Sequence, residues 1–452
     1  MNKQFMENMI QRTFIDNMST DVFLKEPFVI SRSDGVYSWD TEGKQYWDAI
    51  GGIFVASLGH KHPRLVETMK KQVETLTLAP PLHSVGDICL EFIDKLGSMT
   101  PGNLKFIKTY SGGSESIESA IKYVRQYYQM IGKPQKFKII SNYLSYHGAT
   151  LGALAAGDAA AKSKFGQQAP GFEKCYHPKQ LRHMFPTWEE TCRHAAQLVR
   201  MKIEAEHPET VAAFLVEPIC NTAGIVAPTE EYYQIIRKAC DDYDVKLIFD
   251  EVLTGIGKTG DLFAAQTYGV TPDIICSGKG LSSGVLPMGS MIANLDMDAA
   301  FRGAPERHFG HGHTYANFPL AAAVGTEVLT IIEEENLTIR AREIGATLRS
   351  QLEKLQKETG IIREVRGRGL LLGAEVEEDP IAHKPFPNKC FGEFLKQSAR
   401  ANGVVMRIGP DWFAVAPPLI TTDAEIDDLC ARIKKSIQDA LNLYTQSKQN
   451  RV

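Results

Sequence analysis

Leu247–Gly284, LIFDEVLTGIGKTGDLFAAQTYGVTPDIICSGKGLSSG, places an acid at the end of one apolar run and a lone lysine just after the next. The first run, Leu247, Ile248 and Phe249, predicts a buried parallel strand ending at Asp250, where ligands gather in open α/β sheets. The second, Ile274, Ile275 and Cys276, leads to Lys279 among small residues. A lysine amine forms a Schiff base with an aldehyde, and a carboxylate facing a pyridine nitrogen keeps it protonated, so that the ring accepts electrons. Asp250 as the acid and Lys279 as the amine therefore point to pyridoxal phosphate chemistry. Either residue alone reads as a surface charge.

Composition narrows the partners. With 452 residues the chain is too long for one small core and predicts two or three compact units. Fifty basic and 54 acidic residues leave a net charge of -4, with no run of like charge suited to nucleic acid or to a membrane surface. A small-molecule partner is expected. Eight scattered cysteines, without CxxC or close metal-ligand spacing, predict reduced thiols and a cytoplasmic protein. The first 25 residues lack the apolar core of a signal peptide, and no stretch reaches the roughly 18 apolar residues of a membrane span.

Outward from the quoted stretch, short apolar runs alternate with helix-length segments from Thr77 to about Gly325. KFKIIS, AAFLVEP, KLIFDE, DIICS and GSMIAN are the strand-like runs. Such alternation predicts a mostly parallel sheet covered on both faces. Before it come a polar helical arm to about residue 30, a hairpin over Gly35–Ile50 turning at Asp40–Gly43, and a helix from Pro63 to Leu76. After it, a helix and a second αβ pattern around VRGRGLLLGAEV and DWFAVAPPL predict a smaller domain. The expected division is 1–76, 77–325 and 326–452. SGGSESIESAIKYVRQYY, from Ser111, sets glycines before an amphipathic helix, whose exposed amides would attract a phosphate dianion. Gly113 and Ser114 are the expected anion ligands, and a plain helix cap is the alternative.

These segments resemble the class III aminotransferases of fold type I, from about Asp34 to Ile426. The family pattern is close to FDEVxTGxGRTG followed by an SKG or GKG lysine, with a GSEAxE element matching the segment at Gly113. The resemblance implies an α/β fold: a large domain with a mostly parallel, seven-stranded-type sheet and a smaller α+β domain built from N- and C-terminal segments. It also implies pyridoxal 5'-phosphate as cofactor and a homodimer, or a tetramer.

Further roles follow from the resemblance residue by residue. Tyr146 and His147, in the family's YHG element, would lie against the cofactor, and Val252 would cover its other ring face. Glu217, in the EPxQ element, would border the cofactor; Cys220 replaces the glutamine, whose hydrogen bond is not carried over. Thr314, in HFGHGHTYANFPLAAA, would reach the phosphate of the neighbouring subunit. Arg407 occupies the position of a carboxylate-binding arginine, with an internal ion pair as its alternative. Phe54 matches an aromatic wall for the substrate, with core packing as its alternative. No metal site is expected, since His308, His311 and His313 lack accompanying ligands.

The activity implied is amino transfer from an amine or ω-amino acid to a keto acid, pyruvate or 2-oxoglutarate, with freed Lys279 as the proton-moving base. Ammonia- or phospho-elimination, or racemisation, is the runner-up, because the same carbanion can expel a leaving group or be reprotonated. Departures at Ser116, Ala149, Cys220 and Lys258 are expected near the pocket and leave the amine unassigned.

Overall fold

A computed structural model describes residues 3–158 and 160–449. The quoted stretch supplies two neighbouring parallel strands, Lys246–Asp250 and Ile274–Gly278, in a register that sets Asp250 beside Cys276. Leu247, Ile248, Phe249, Ile274, Ile275 and Cys276 are all fully buried, as continuous apolar runs in a doubly covered parallel sheet must be. The period of two divides them. Leu247, Phe249 and Ile275 join one core, and Ile248, Ile274 and Cys276 join the other.

Seven strands form this sheet, in the order Leu104–Tyr110, Gly289–Asn294, Ile274–Gly278, Lys246–Asp250, Val211–Val216, Lys138–Asn142, Phe172–Cys175. Gly289–Asn294 runs antiparallel to both neighbours, and the pairs from Ile274–Gly278 to Phe172–Cys175 are parallel. The five strand-like runs of the sequence all lie here. The two edge strands were not anticipated from the pattern: LKFIKTY and FEKC carry lysines and a glutamate, because an edge strand is only partly covered and tolerates charge. The helix Gly113–Met130 buries Ile117, Ala120, Ile121, Val124 and Tyr128 on one face of the sheet. Helices Trp188–Ala205 and Glu230–Asp242 pack with the opposite core.

Sequence-distant segments build the smaller part. Strands Tyr37–Asp40 and Gln45–Asp48 form the expected hairpin, and Val404–Val405 pairs parallel to the latter. Trp47 N–H donates to the Gly403 carbonyl at 2.8 Å, and its buried indole donates to the Glu425 carbonyl at 3.2 Å. A second sheet takes Ile362–Arg368, Leu371–Val376, Trp412–Val415 and Arg407–Ile408. The polar arm holds two short helices, Lys3–Ile10 and Thr20–Lys25, while Met1 and Asn2 lie outside the described residues.

Just past Asp250, the fully buried Glu251 fixes the loop that follows. Its Oε2 accepts from Ala264 N–H at 2.6 Å and from the Thr254 hydroxyl at 2.9 Å, and its Oε1 accepts from Ala265 N–H at 2.8 Å. Burial pushes its pKa up to about 7 against those donors. The folded chain therefore holds more protons than the unfolded one between the ordinary glutamate value and about 7, and this group's contribution to stability falls as pH rises through that window. Glu251→Ala, which strands two buried amides, is expected to lower the unfolding free energy by about 3 kcal/mol in urea denaturation. Glu251→Gln should flatten the slope of stability against pH in the same window.

Candidate active site

Asp250 and Lys279 end adjacent strands at the same sheet edge because their strands are parallel and in register. Asp250 is buried, and its Oδ2 accepts from Nδ1 of buried His147 at 2.7 Å while Oδ1 accepts from Val252 N–H at 3.1 Å. With Nδ1 donating to the carboxylate, the imidazole ring is locked; its Nε2 is buried without a partner. Lys279 follows its strand with φ at 44°, a left-handed conformation uncommon for a residue with a side chain. Such strain collects at functional sites. Among the described residues no hydrogen bond or ion pair holds the Lys279 amine. Burial lowers its pKa below the usual lysine value, although Asp250 and Glu217 oppose the shift.

A cavity of about 190 Å³ surrounds the amine, lined by Gly113, Ser114, Tyr146, His147, Glu217, Asp250, Val252 and Lys279. Each wall has a cause. Glu217 leaves the strand Val211–Val216, and its Oε1 accepts from Tyr146 N–H at 2.8 Å, which ties the aromatic loop to the next strand end. Burial raises the Glu217 carboxyl pKa, with Asp250 adding and His147 opposing. A Cβ on Gly113 would lie 2.7 Å from Val252 Cγ1, so only glycine lets the helix Gly113–Met130 begin this close. Gly148, at φ 137°, closes on Ser114 in the same way: a Cβ there would lie 2.5 Å from Ser114 Oγ, which accepts from Ala149 N–H at 3.1 Å. A desolvated free amine, an acid with a fixed imidazole partner and the start of an 18-residue helix converge on one small space. This donor set fits pyridoxal phosphate.

Three expected residues are not on this cavity wall. Phe54 is 2 % exposed and belongs to the hydrophobic core, so the substrate-wall reading is corrected to core packing. Gly51, Gly52 and Phe54 all take positive φ, turning Phe54 inward and leaving Ile53 52 % exposed instead. Arg407 lies on the short strand Arg407–Ile408, exposed, and among the described residues nothing pairs with it; the internal ion pair is not present. Thr314 lines a separate cavity of about 750 Å³ with Lys108, His311, His313 and residues 79–85. Although that cavity is larger, the buried titratable groups converge at Lys279.

One other expectation is refined. Lys258 is not a pocket residue: it is fully buried, its Nζ donates to the Ala416 and Pro417 carbonyls at 3.2 and 2.8 Å, and burial lowers its pKa to about 7. Arg366 and Arg368 pair with Glu375 and Glu230. Among the described residues no cluster of His, Cys, Asp or Glu could hold a metal ion. Gly148, the glycine of the YHG element expected to permit close approach, lines the Lys279 cavity too, as do Asn221 and Leu253, to which sequence reading assigned no role. For Asn221 the one signal was its place in the EPICN segment beside the Cys220 departure.

Comparison with known proteins fits this geometry. The family model described as "Aminotransferase class-III" matches residues 20–437. A probable aminotransferase of Mycobacterium tuberculosis is 35% identical over 424 residues, covering 92% of this chain and 91% of that protein. A chloroplastic gamma aminobutyrate transaminase 3 of Solanum lycopersicum is 31% identical, covering 96% of this chain and 84% of that one. The crystal structure of an (S)-enantioselective omega-transaminase from Thermomicrobium roseum superimposes with a TM-score of 0.92 at 35% identity, covering 97% and 98% of the two chains. An omega transaminase of Pseudomonas jessenii, solved in complex with PMP, has a TM-score of 0.90 at 31% identity, over 97% and 98%. The chain belongs to the class III aminotransferase family, whose members depend on pyridoxal phosphate, and it is a transaminase.

Gly113→Ala should force Val252 into the cavity and raise the dissociation constant for pyridoxal phosphate roughly tenfold. Absorbance reconstitution of the apoprotein measures it.

Proposed function

We propose that the protein moves an amino group from an amine or ω-amino acid to pyruvate or 2-oxoglutarate, with pyridoxal 5'-phosphate joined to Lys279. The observation that carries this is the free, desolvated Lys279 amine one strand away from the Asp250–His147 pair. Bound there, the cofactor supplies a sink for the electron pair left when the substrate carbon loses its proton.

The protein's own groups do the rest. Lys279, its pKa lowered by burial and its amine without a partner among the described residues, would serve first as the attachment point and then as the base that moves a proton at the substrate carbon. Asp250 would lie at the pyridine nitrogen and favour its protonated form, and His147 holds that carboxylate in place. Tyr146 and Val252 would flank the cofactor ring, Gly113 and Ser114 would take its phosphate at the helix start, and Glu217 holds the Tyr146 backbone in place. Arg407, exposed and unpaired, takes the keto-acid carboxylate as a planar fork.

We assign residues 77–325 to cofactor binding, with 1–76 and 326–452 closing over them. The pairing of Val404–Val405 with the N-terminal hairpin supports that grouping. A cytoplasmic homodimer completes the reading, in which Thr314 serves the phosphate of a second copy; eight unbridged cysteines and the position of Thr314 outside its own cavity support it. Names of relatives and structural neighbours, gamma-aminobutyrate transaminases and omega-transaminases, favour a donor whose amine lies away from a carboxylate.

The test is the visible spectrum of the holoenzyme during addition of a panel of amines. One amine should bleach the band stoichiometrically and pyruvate or 2-oxoglutarate should restore it. A band that persists while ammonia or phosphate accumulates over many turnovers would make the enzyme a lyase. Lys279→Ala should abolish turnover, and Arg407→Ala should raise KM for the keto acid by about tenfold with a smaller change for an uncharged amine.

A further inference from the structure

We propose that the cavity between residues 179–188 and the strand Ile362–Arg368 is a second binding site, for a small oxyanion, carboxylate or phosphate, that joins the larger and smaller parts of the molecule.

The cavity has a volume of about 280 Å³, and Lys179, Arg182, Arg349, Arg366 and Arg368 line it with a single carboxylate, Glu364. That is just below the roughly 300–1,000 Å³ of pockets that take drug-sized ligands, so a smaller molecule fits it. It shares no lining residue with the Lys279 cavity.

The charges do not close among themselves. Glu364 is shared by Arg182 at 3.0 Å and Arg366 at 3.5 Å, Glu375 is bound by Arg366, and Glu230 lies 2.9 Å from Arg368. Lys179 reaches only the Glu375 that Arg366 already holds, at 3.7 Å, and Arg349 reaches Glu353 at 3.8 Å. Five cations thus meet four carboxylates, and two of the contacts are too long for a hydrogen bond. Burial and the charge of Arg366 lower the Lys179 pKa although Glu375 opposes them, so its ammonium is held at a cost that an anion in the cavity would relieve.

Donors remain to meet that anion. Lys179 Nζ makes one hydrogen bond, to the Ala223 carbonyl at 2.8 Å, which leaves two of its three N–H groups. Arg182 meets Glu364 through Nη2, and among the described residues its Nε and Nη1 have no partner. Its guanidinium lies over the Trp188 ring, 5.0 Å from the centroid, and the indole is itself fixed by donating to the Ala227 carbonyl at 3.2 Å. Arg349 is held in place by donating to the Val365 and Gly367 carbonyls at 3.1 and 2.8 Å. Cations pre-positioned in this way lose little freedom when an oxyanion binds.

The location gives the site its meaning. Lys179 and Arg182 precede the helix Trp188–Ala205, whereas Arg349 and Arg366 belong to the helix Leu337–Thr359 and the strand Ile362–Arg368. One oxyanion between them would clasp these segments together, behind the turn whose Ala223 and Gly224 carbonyls Lys179 and Arg366 hold.

The experiment is calorimetric titration of the holoenzyme with sodium phosphate and, separately, sodium succinate, each against sodium chloride at equal ionic strength. At least one should bind with a millimolar or tighter dissociation constant that chloride does not reproduce, and which of the two binds identifies the source of the oxyanion. Lys179→Gln, which keeps a donor for the Ala223 carbonyl, and Arg182→Gln should each weaken that binding roughly tenfold. Arg407→Ala should leave it unchanged, because that arginine is assigned to the keto acid at the other cavity. Thermal unfolding without added anion shows which variants keep their fold, and either of the two glutamine variants suffices. No binding beyond chloride overturns the proposal, as does binding that survives both glutamine variants or is lost in Arg407→Ala. None of these outcomes bears on Lys279, whose reading is tested by the visible spectrum.

Discussion

The parallel pairing of Lys246–Asp250 with Ile274–Gly278 is the constraint on which the rest depends. A slip of one residue would exchange the two faces, sending Leu247 and Phe249 to the opposite core and moving Asp250 away from His147. Because the strands run the same way, their carboxyl ends meet at one edge, and the chemistry of the site is a property of that edge. Asp250, Lys279 and Glu217 each leave the end of a different strand there. A short distance from the strand ends, glycines with little free space bring the helix start and the aromatic loop against them.

Burial then sets the character of each group. Lys279 is depressed because its charged form is poorly solvated, and Glu217 is raised for the same reason. The two shifts push a base and an acid toward their neutral forms within one cavity, the condition under which protons move between side chains and substrate at modest cost. Lys258 shows that the same physics need not mean catalysis. It is also buried and also depressed, yet its ammonium donates to two backbone carbonyls and clasps the Ala416–Pro417 segment to the loop after Asp250. What separates the two lysines is that one has partners and the other faces a cavity.

Much of this was legible in the residues. The five internal strands read as apolar runs, and the residues from Gly113 to Lys279 expected at strand ends and a helix start line one cavity. The edge strands Leu104–Tyr110 and Phe172–Cys175 were not legible, because partial exposure erases the apolar run that marks a buried strand. Phe54 misled for a related reason: an aromatic in an apolar stretch carries no mark of whether it faces a core or a cleft, and the positive φ values that turn it inward are invisible in the letters.

By itself the sequence placed Asp250 and Lys279 at neighbouring strand ends, since their spacing from apolar runs is local. Tertiary structure alone decided what surrounds them. His147 meets Asp250 across 103 positions of chain, and Glu217 reaches Tyr146 across 71. Whether Cys220 or Asn221 enters the cavity depends on which of them the Leu144 carbonyl captures. Such choices follow from hydrogen bonds between segments distant in sequence, and pattern or composition along the chain carries no record of them.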